Sequence, residues 1–568
     1  MKKIIATFAA GILLIGAFGC GTVIQEYDPS KKQIYVSFYE GGFGSRWIKQ
    51  AAADFNELYS DYEVIISPDK YGSSNIMADL GSGKPSASVY YSIGSDFREA
   101  INGGLVADMS GVLEMKIDGE ALTIGEKLTE PELWKKIGNK NGQGIYMLPN
   151  CDSIVGYIFD YQLFVEKKWL NYAPVTDEIK EKLTEQGIVY TASKNSITYE
   201  SGGADVNYKA GDIILTAGKD GKFGTYDDGQ PITEAEWIEM IQKIQADPAA
   251  PFIWTTKFPD YTSPIVYAAF AQYEGMDNYN AFFNFTDYTE KNGKTVVVTP
   301  ETGYKVYEME GIRKSLEFMK TYFTNEKWYH PACSGTETSH KDAQNLFLTG
   351  YKKVSTNPQA GMLVEGGWWE YEAKPTFDSF TKDNEPERGY GKRDYRYMLL
   401  PNLEGQRGTN GDGTGSAIAA HETGAIIIAK NQSEDMIEMS KKFVAFSAAD
   451  KYLKEYTRTT GARRPYKFDL TQDIYETMTP FARNMNALYS DTQNITIVRQ
   501  GLDRLISPLN YASSKDKYIF ATKIGSDPYQ IPLLGLQRYS ADQYFEGMKK
   551  MNADNWGIYY NQVKSYYE

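Results

Sequence analysis

Apolar and polar residues alternate where the body of the chain begins. In "QIYVSFYEGG", Ile34, Val36 and Phe38 take one face while Tyr35 and Ser37 take the other, the two-residue period of a strand. A glycine loop follows. In "SRWIKQAAADFNELY" the residues Trp47, Ile48, Ala51, Phe55 and Leu58 share one face of a helix. "YEVIIS" reads as a second strand, "SSNIMADLGSG" as a second helix and "SASVYYSIG" as a third strand. This β-α-β-α-β alternation predicts an α/β chain with a mainly parallel sheet covered by helices. Ligands of such sheets sit beyond the carboxyl ends of the strands. Tyr39 and Glu40 leave the first strand there, and Tyr91 and Ser92 leave the third, so these four are candidate binding residues.

Further along, "GQGIYMLPNCDSIVGYIFDYQLF" reads as strand, turn and strand around Pro149. Residues 186–232 are polar and rich in Gly, Tyr and Thr, with short strand-like runs such as "DIILTAG", and read as an inserted excursion. "TEAEWIEMIQKIQ" restores a helix, with a capping box from Thr233 and Glu236 and a buried face of Trp237, Ile241 and Ile244. The tail, "YSADQYFEGMKKMNADNW", is a C-terminal helix with Ser540 at its N-cap and Gln543 closing the box. Inside the excursion, "GKDGKFGTYDDGQ" crowds Asp220, Asp227 and Asp228 among glycines. Carboxylates that close repel one another unless solvated or bridged by a cation, and oxygen ligands on a tight loop suit Ca²⁺. The spacing is not that of an EF-hand, because Lys222 and Gly224 stand where side-chain oxygens are needed. A structural calcium site and a glycine turn with solvated aspartates both remain open.

The first residues, "MKKIIATFAAGILLIGAFGC", carry Lys2 and Lys3 and then an apolar run to Phe18, the pattern of a secretory leader over 1–19. Cys20, directly after small residues, resembles the acylated cysteine of a bacterial lipobox. Two acyl chains there give stable anchoring, with 20–32 as a tether. The body is then expected at the outer face of a cell membrane. A chain of 568 residues is too long for one core, so at least two lobes are expected. The net charge of −14 and the absence of a basic stripe argue against nucleic acid. Only Cys151 and Cys333 follow Cys20, and sequence leaves open whether they pair. Three histidines make a His-rich metal centre improbable, and no G-x-S-x-G elbow supports a serine hydrolase. The 44 tyrosines suit half-wet clefts, or reflect a compositional habit.

Several stretches, taken in order, resemble the family 1 extracellular solute-binding proteins of carbohydrate ABC transporters, the maltose-binding-protein group. They are "GGLVADMSGVL", "GIYMLPNCDSIVGYIFDYQLF", "NLFLTG" with "AGMLVEGGWW", "YMLLPN", "TGAIIIAKNQSEDMIEMSKKFVAFSA" and "TRTTGARRPYK". The chain departs from the pattern in its greater length and in Ser88, where an acidic residue often opens the third strand. The resemblance implies a two-lobed periplasmic-binding-protein-like fold of type II, with several chain crossings at the hinge and a cleft between the lobes. By the family pattern lobe one is 33–152 plus 410–460, and lobe two is 153–409 plus 461–568. It implies no catalytic residues. It also implies a monomer that binds a carbohydrate, an oligosaccharide by expectation, and delivers it to permease subunits.

The same resemblance assigns the paired tryptophans of "VEGGWWEY". Met362, Gly366 and Trp368 match the spacing of a family motif whose tryptophan stacks on sugar. Alternation along an extended backbone would turn Trp368 and Trp369 to opposite faces, which puts Trp368 on the ligand and Trp369 in the core or rim. A pyranose has an apolar C–H face and a polar rim, so a flat ring covers the one while carboxylates and amides bond the other. Trp254, Asp260 and Tyr261, in "PFIWTTKFPDYTSP", resemble the lobe-two ligand loop. Two other readings stand beside this one: a binder of charged uronate oligomers or peptides, marked by inward Arg and Lys, and a lipid-anchored glycoside hydrolase, which needs two flanking carboxylates.

Overall fold

The computed structural model describes residues 28–69, 73–94, 97–193, 197–201, 208, 212–350, 358–499 and 520–567. The leader and Cys20 lie outside the described residues. Nine strands form one mixed sheet: β1 Lys32–Tyr39, β2 Tyr62–Asp69, β3 Val89–Tyr91, β4 Leu148–Asp160, β5 Ala249–Ile253, β6 Gln359–Gly366, β7 Tyr395–Met398, β8 Ser416–Ile428 and β9 Ile495–Arg499. Their order is β2-β1-β3-β8-β4-β6-β5, with β7 added to β4 and β9 to β8. The first three are parallel, as the alternation predicts, with Ile34 opposite Val64 and Val36 opposite Val89.

Two strands of 13 residues each, β4 and β8, tie the halves of this sheet together. They pair antiparallel with each other. The end of β8 continues onto β3, while the end of β4 continues onto β6 and β7. Each strand therefore begins in one half and finishes in the other, a connection that can bend as a hinge. Register shifts between Ala420 and Glu422 and between Thr423 and Ala425 fall within the shared segment. Bulges bend and twist a strand, so the crossing is where the sheet turns. Pro149 corrects the sequence expectation: it lies in one continuous strand, not in a turn. It is the second residue of β4, opposite Ala425 beside a bulge, where a missing N–H costs little.

The helices include α1 Arg46–Leu58, α2 Ser263–Glu274, α3 His340–Thr349, α4 Trp369–Glu372, α5 Asp450–Thr460 and α6 Pro480–Ser490. The α1 stripe of Trp47, Ile48, Ala51 and Phe55 is buried, but Leu58 is 65% exposed. The helix ends there, and the Tyr59 ring covers Phe55 instead, with ring centroids 4.5 Å apart. Every residue from Pro264 to Glu274 in α2 is buried, which is the signature of a helix enclosed on all sides. Both capping boxes form: Glu236 N–H donates to Thr233 Oγ1 over 3.2 Å, and Gln543 N–H to Ser540 Oγ over 3.1 Å.

One continuous apolar core runs under the whole sheet. Tyr190, Ile214 and Phe223 of the excursion join Leu183, from the helix just before it, in a small separate core. The excursion holds to the body through Lys219, whose ammonium donates to Ser416 Oγ over 2.8 Å and to the Leu400 carbonyl. Cys151 and Cys333 are both buried and remain thiols. Among the described residues no helix is long and apolar enough to cross a membrane.

Candidate binding cleft

The glycine loop after β1 reaches across to the end of β6. Between them lies a cavity of about 180 Å³ lined by Tyr39, Gly41, Gly42, Phe43, Ile93, Ser153, Asp260, Tyr261, His340, Trp368 and Glu372. Four residues singled out in the sequence, Tyr39, Asp260, Tyr261 and Trp368, therefore meet at one place. They come from strand ends and loops far apart in the chain.

The adjacent tryptophans do part company. Trp368 is 8% exposed and faces this cavity, with its ring 6.0 Å from Tyr261 in an edge-on arrangement and 5.9 Å from Phe43. Trp369 is 0% exposed and packs among Phe347, Phe377, Tyr395 and Phe481. The reason is not the expected strand alternation. Strand β6 stops at Gly366, Trp368 has φ −83° and ψ −11°, and α4 starts at Trp369. A helical turn separates the rings by about 100° per residue. Gly366 makes room for the first of them: a Cβ there would come within 2.2 Å of the Trp368 ring, which lies flat over that backbone. Across the cavity, a Cβ on Gly42 would come within 2.4 Å of the Trp368 carbonyl oxygen, so the loop after β1 and the end of β6 touch backbone to backbone here.

Apart from Asp260, the polar side of the cavity was not legible in the sequence. His340 stacks on Tyr261 with the rings 10° from parallel, and its Nε2 lies 3.3 Å from Glu372 Oε1. Gln344 Nε2 donates to Glu372 Oε2 over 2.8 Å and to Glu365 Oε2 over 3.3 Å. The hydrogen bond to Glu372 raises the His340 pKa above its ordinary value. Burial pushes Glu372 up, but the bonds from His340 and Gln344 outweigh it and hold that carboxyl low. Glu365, fully buried behind Gln344, goes the other way: burial and the Glu372 charge push it up to about 8. A lone histidine and two scattered glutamates give no sequence signal; only the fold assembles them.

Four other candidates lie elsewhere. Tyr91 is 1% exposed, its hydroxyl 2.7 Å from Ser447 Oγ and its ring against Phe38, Trp47 and Phe443. Ser92 is wholly buried, its carbonyl accepting from Asn150 Nδ2. Trp254 is core, packed on Phe323 and Tyr329. Glu40 accepts from Ser45 Oγ over 2.6 Å and braces the loop, outside the cavity lining.

In the excursion, Asp227 Oδ2 accepts from the N–H groups of Lys219 and Asp220 over 2.7 and 3.2 Å, and Asp228 Oδ2 from those of Gly224 and Thr225 over 2.9 and 3.1 Å. Asp220 accepts from Lys222 N–H over 2.7 Å. Burial lifts Asp227 to about 6 and Asp228 to about 7. Among the described residues no group of three His, Cys, Asp or Glu side chains is placed to hold a metal ion.

No family model matches the sequence, and no curated protein matches it either. Solved structures do. A chitin oligosaccharide binding protein superposes with TM-score 0.53 at 12% identity, over 93% of this chain and 100% of its own. The solute-binding protein RafE in complex with raffinose gives 0.52 at 11%, over 92% and 99%. A protein from work on xylan utilization by Caldanaerobius polysaccharolyticus gives 0.53 at 13%, over 91% and 99%. The chain therefore has the two-lobed α/β fold of the periplasmic solute-binding proteins, and the cavity described above lies where the halves of that fold meet.

Proposed function

We propose that the protein captures a neutral oligosaccharide between its lobes and delivers it to a membrane importer without acting on it chemically. The observation that carries this reading is the lining of the cavity: Trp368, Tyr261, Tyr39 and Phe43 supply rings, Asp260, Glu372 and His340 supply hydroxyl partners, and among the described residues no Arg or Lys lines it. Rings cover the C–H face of a sugar and carboxylates accept from its hydroxyls. Acidic uronates would meet Asp260 and Glu372 with no Arg or Lys to offset them, and His340 is already bonded to Glu372. The fold supports the reading, since chitin-oligosaccharide and raffinose binders share it. A glycosidase needs a carboxylic acid with a raised pKa beside the bond. Glu372 is held low, and the raised Glu365 does not line the cavity. At about 180 Å³ the cavity is smaller than the 300–1,000 Å³ of typical ligand pockets. An oligosaccharide enters when the lobes part about β4 and β8.

Anchoring through Cys20 belongs to the same proposal and rests on the sequence. Mature protein should partition into detergent, and Cys20→Ala should release it or leave it unprocessed. The main test is a thermal-shift screen followed by calorimetry with raffinose, chitotriose and xylotriose, against oligogalacturonates and peptides. Ligand at 100 times its Kd adds about 2.7 kcal/mol of stability. Binding of an oligogalacturonate or a peptide alone would overturn the neutral-sugar assignment, and release of shorter sugars would overturn the non-catalytic one.

A further inference from the structure

A second cavity, of about 850 Å³, shares no lining residue with the cleft. The excursion forms one wall with Asp220 and Tyr226, β7 contributes Arg396, and helix α6 with the segment before it contributes Tyr475, Arg483 and Asn484. Most charges in it are already matched. Arg396 Nη2 donates to Asp394 over 2.7 Å and its Nη1 to the Thr225 carbonyl over 3.2 Å. The Tyr226 hydroxyl donates to Asp491 over 2.6 Å. Among the described residues three groups are not matched: Asn484, Arg483 and Lys222. Asn484 is 6% exposed; its Oδ1 accepts from Tyr397 N–H over 2.9 Å, but among the described residues its Nδ2 has no acceptor. That N–H₂ is closed off from the cavity too, so Arg483 and Lys222 supply the unpaired donors of the lining. Among the described residues Arg483 meets no carboxylate within ion-pair distance; its guanidinium lies 6.0 Å from the Tyr475 ring.

We propose that this cavity is a second saccharide site, independent of the cleft and built by the excursion. The chemistry selects the ligand class. Carboxylates and cations that balance one another give a charged ligand no net partner. A polyhydroxyl chain can donate to Asp220 and accept from Lys222 and Arg483 at once, and the Tyr226 and Tyr475 rings offer faces for its C–H groups. The volume lies within the usual range for ligand pockets.

Calorimetry with raffinose, chitotriose and xylotriose, run on wild type, Trp368→Ala, Arg483→Ala and Tyr475→Ala, tests this. Arg483 and Tyr475 are only part-buried, so both variants should fold, which circular dichroism checks. Wild type should show two binding events for at least one sugar. Arg483→Ala and Tyr475→Ala should each weaken one of them about ten-fold, the loss of one anchoring contact, and leave the other intact. Trp368→Ala should do the reverse. A single event that Trp368→Ala removes and the other two leave untouched overturns the second site while the cleft stands. A single event lost only in Arg483→Ala and Tyr475→Ala supports the second site and overturns the cleft assignment.

Discussion

The turn at 218–230 and the cleft use carboxylates in opposite ways. In the turn, Asp227 and Asp228 are buried and aimed at their own backbone, each accepting two N–H groups from the loop that carries them. One oxygen of each carboxylate is taken up in holding the shape of the turn. In the cleft, Asp260 and Glu372 line a cavity and come from different segments, and the only bonds to Glu372 among the described residues come from neighbouring side chains, His340 and Gln344. The first arrangement is local and encoded within a dozen residues. The second exists only after the chain has folded, which is where recognition of a ligand belongs. The paired tryptophans repeat the contrast at the shortest range, with Trp369 serving the fold and Trp368 facing the cavity.

The largest effect should come from Trp369→Ala. The ring is fully buried against four aromatic neighbours. Its removal should cost about 3–5 kcal/mol of stability, visible as a drop in melting temperature, with sugar affinity of the folded fraction nearly unchanged. Next is Trp368→Ala, which should weaken binding of a neutral oligosaccharide by about 2 kcal/mol, roughly 30-fold in Kd, with a smaller loss of stability. Equal loss of affinity in the two variants would break the contrast.

That contrast also shows what the sequence makes legible. The alternation of Ile34, Val36 and Phe38, the stripe of α1 and the parallel order of the first strands were legible, because hydrophobic period reports local structure. Tyr91 and Ser92 were misplaced for a definite reason. The rule about strand ends gives a position along the strand, but not what covers it, and Tyr91 is covered by Ser447 and Phe443 from a helix hundreds of residues later. Trp254 fails likewise: its cover, Phe323 and Tyr329, is tertiary. The parting of Trp368 from Trp369 was expected through an extended backbone and arises from a helical turn. His340 and Gln344, four apart on α3, share a helix face, but nothing in the sequence announces that Glu372 meets them.

A smaller effect separates the buried acids from the exposed ones. Glu365 and Glu370 are both buried and pushed up to about 8, chiefly by burial. An unfolded chain releases these protons near pH 4.5, while the folded protein keeps them to about 8. Between those limits the native state binds more protons, so stability should fall as pH rises. His340 acts with the same sign: its contribution is complete below the ordinary histidine value and is lost as pH passes its raised one. Asp227 and Asp228, lifted to about 6 and 7, add to the fall, whereas Lys219, lowered to about 7, acts with the opposite sign above that pH, so melting temperature should decline from about pH 5 to pH 7. Glu365→Gln should flatten that slope, and an unchanged slope in both Glu365→Gln and Glu370→Gln would place the titration elsewhere.

The smallest effect expected is that of a chelator. The sequence left calcium and a plain turn open at Asp220, Asp227 and Asp228. Calcium needs six to eight oxygens around it, whereas one oxygen of each aspartate already meets N–H donors: Asp227 those of Lys219 and Asp220, Asp228 those of Gly224 and Thr225, and Asp220 that of Lys222. Excess EDTA should leave both melting temperature and sugar affinity unchanged, on protein first dialysed against calcium. Asp227→Ala should still destabilise the fold by about 1–3 kcal/mol, because it strands two buried N–H groups, and calcium should not alter that loss. A fall in melting temperature with EDTA that calcium restores, and that Asp227→Asn with Asp228→Asn abolishes, would turn the aspartates from acceptors of their own backbone into ligands of an ion.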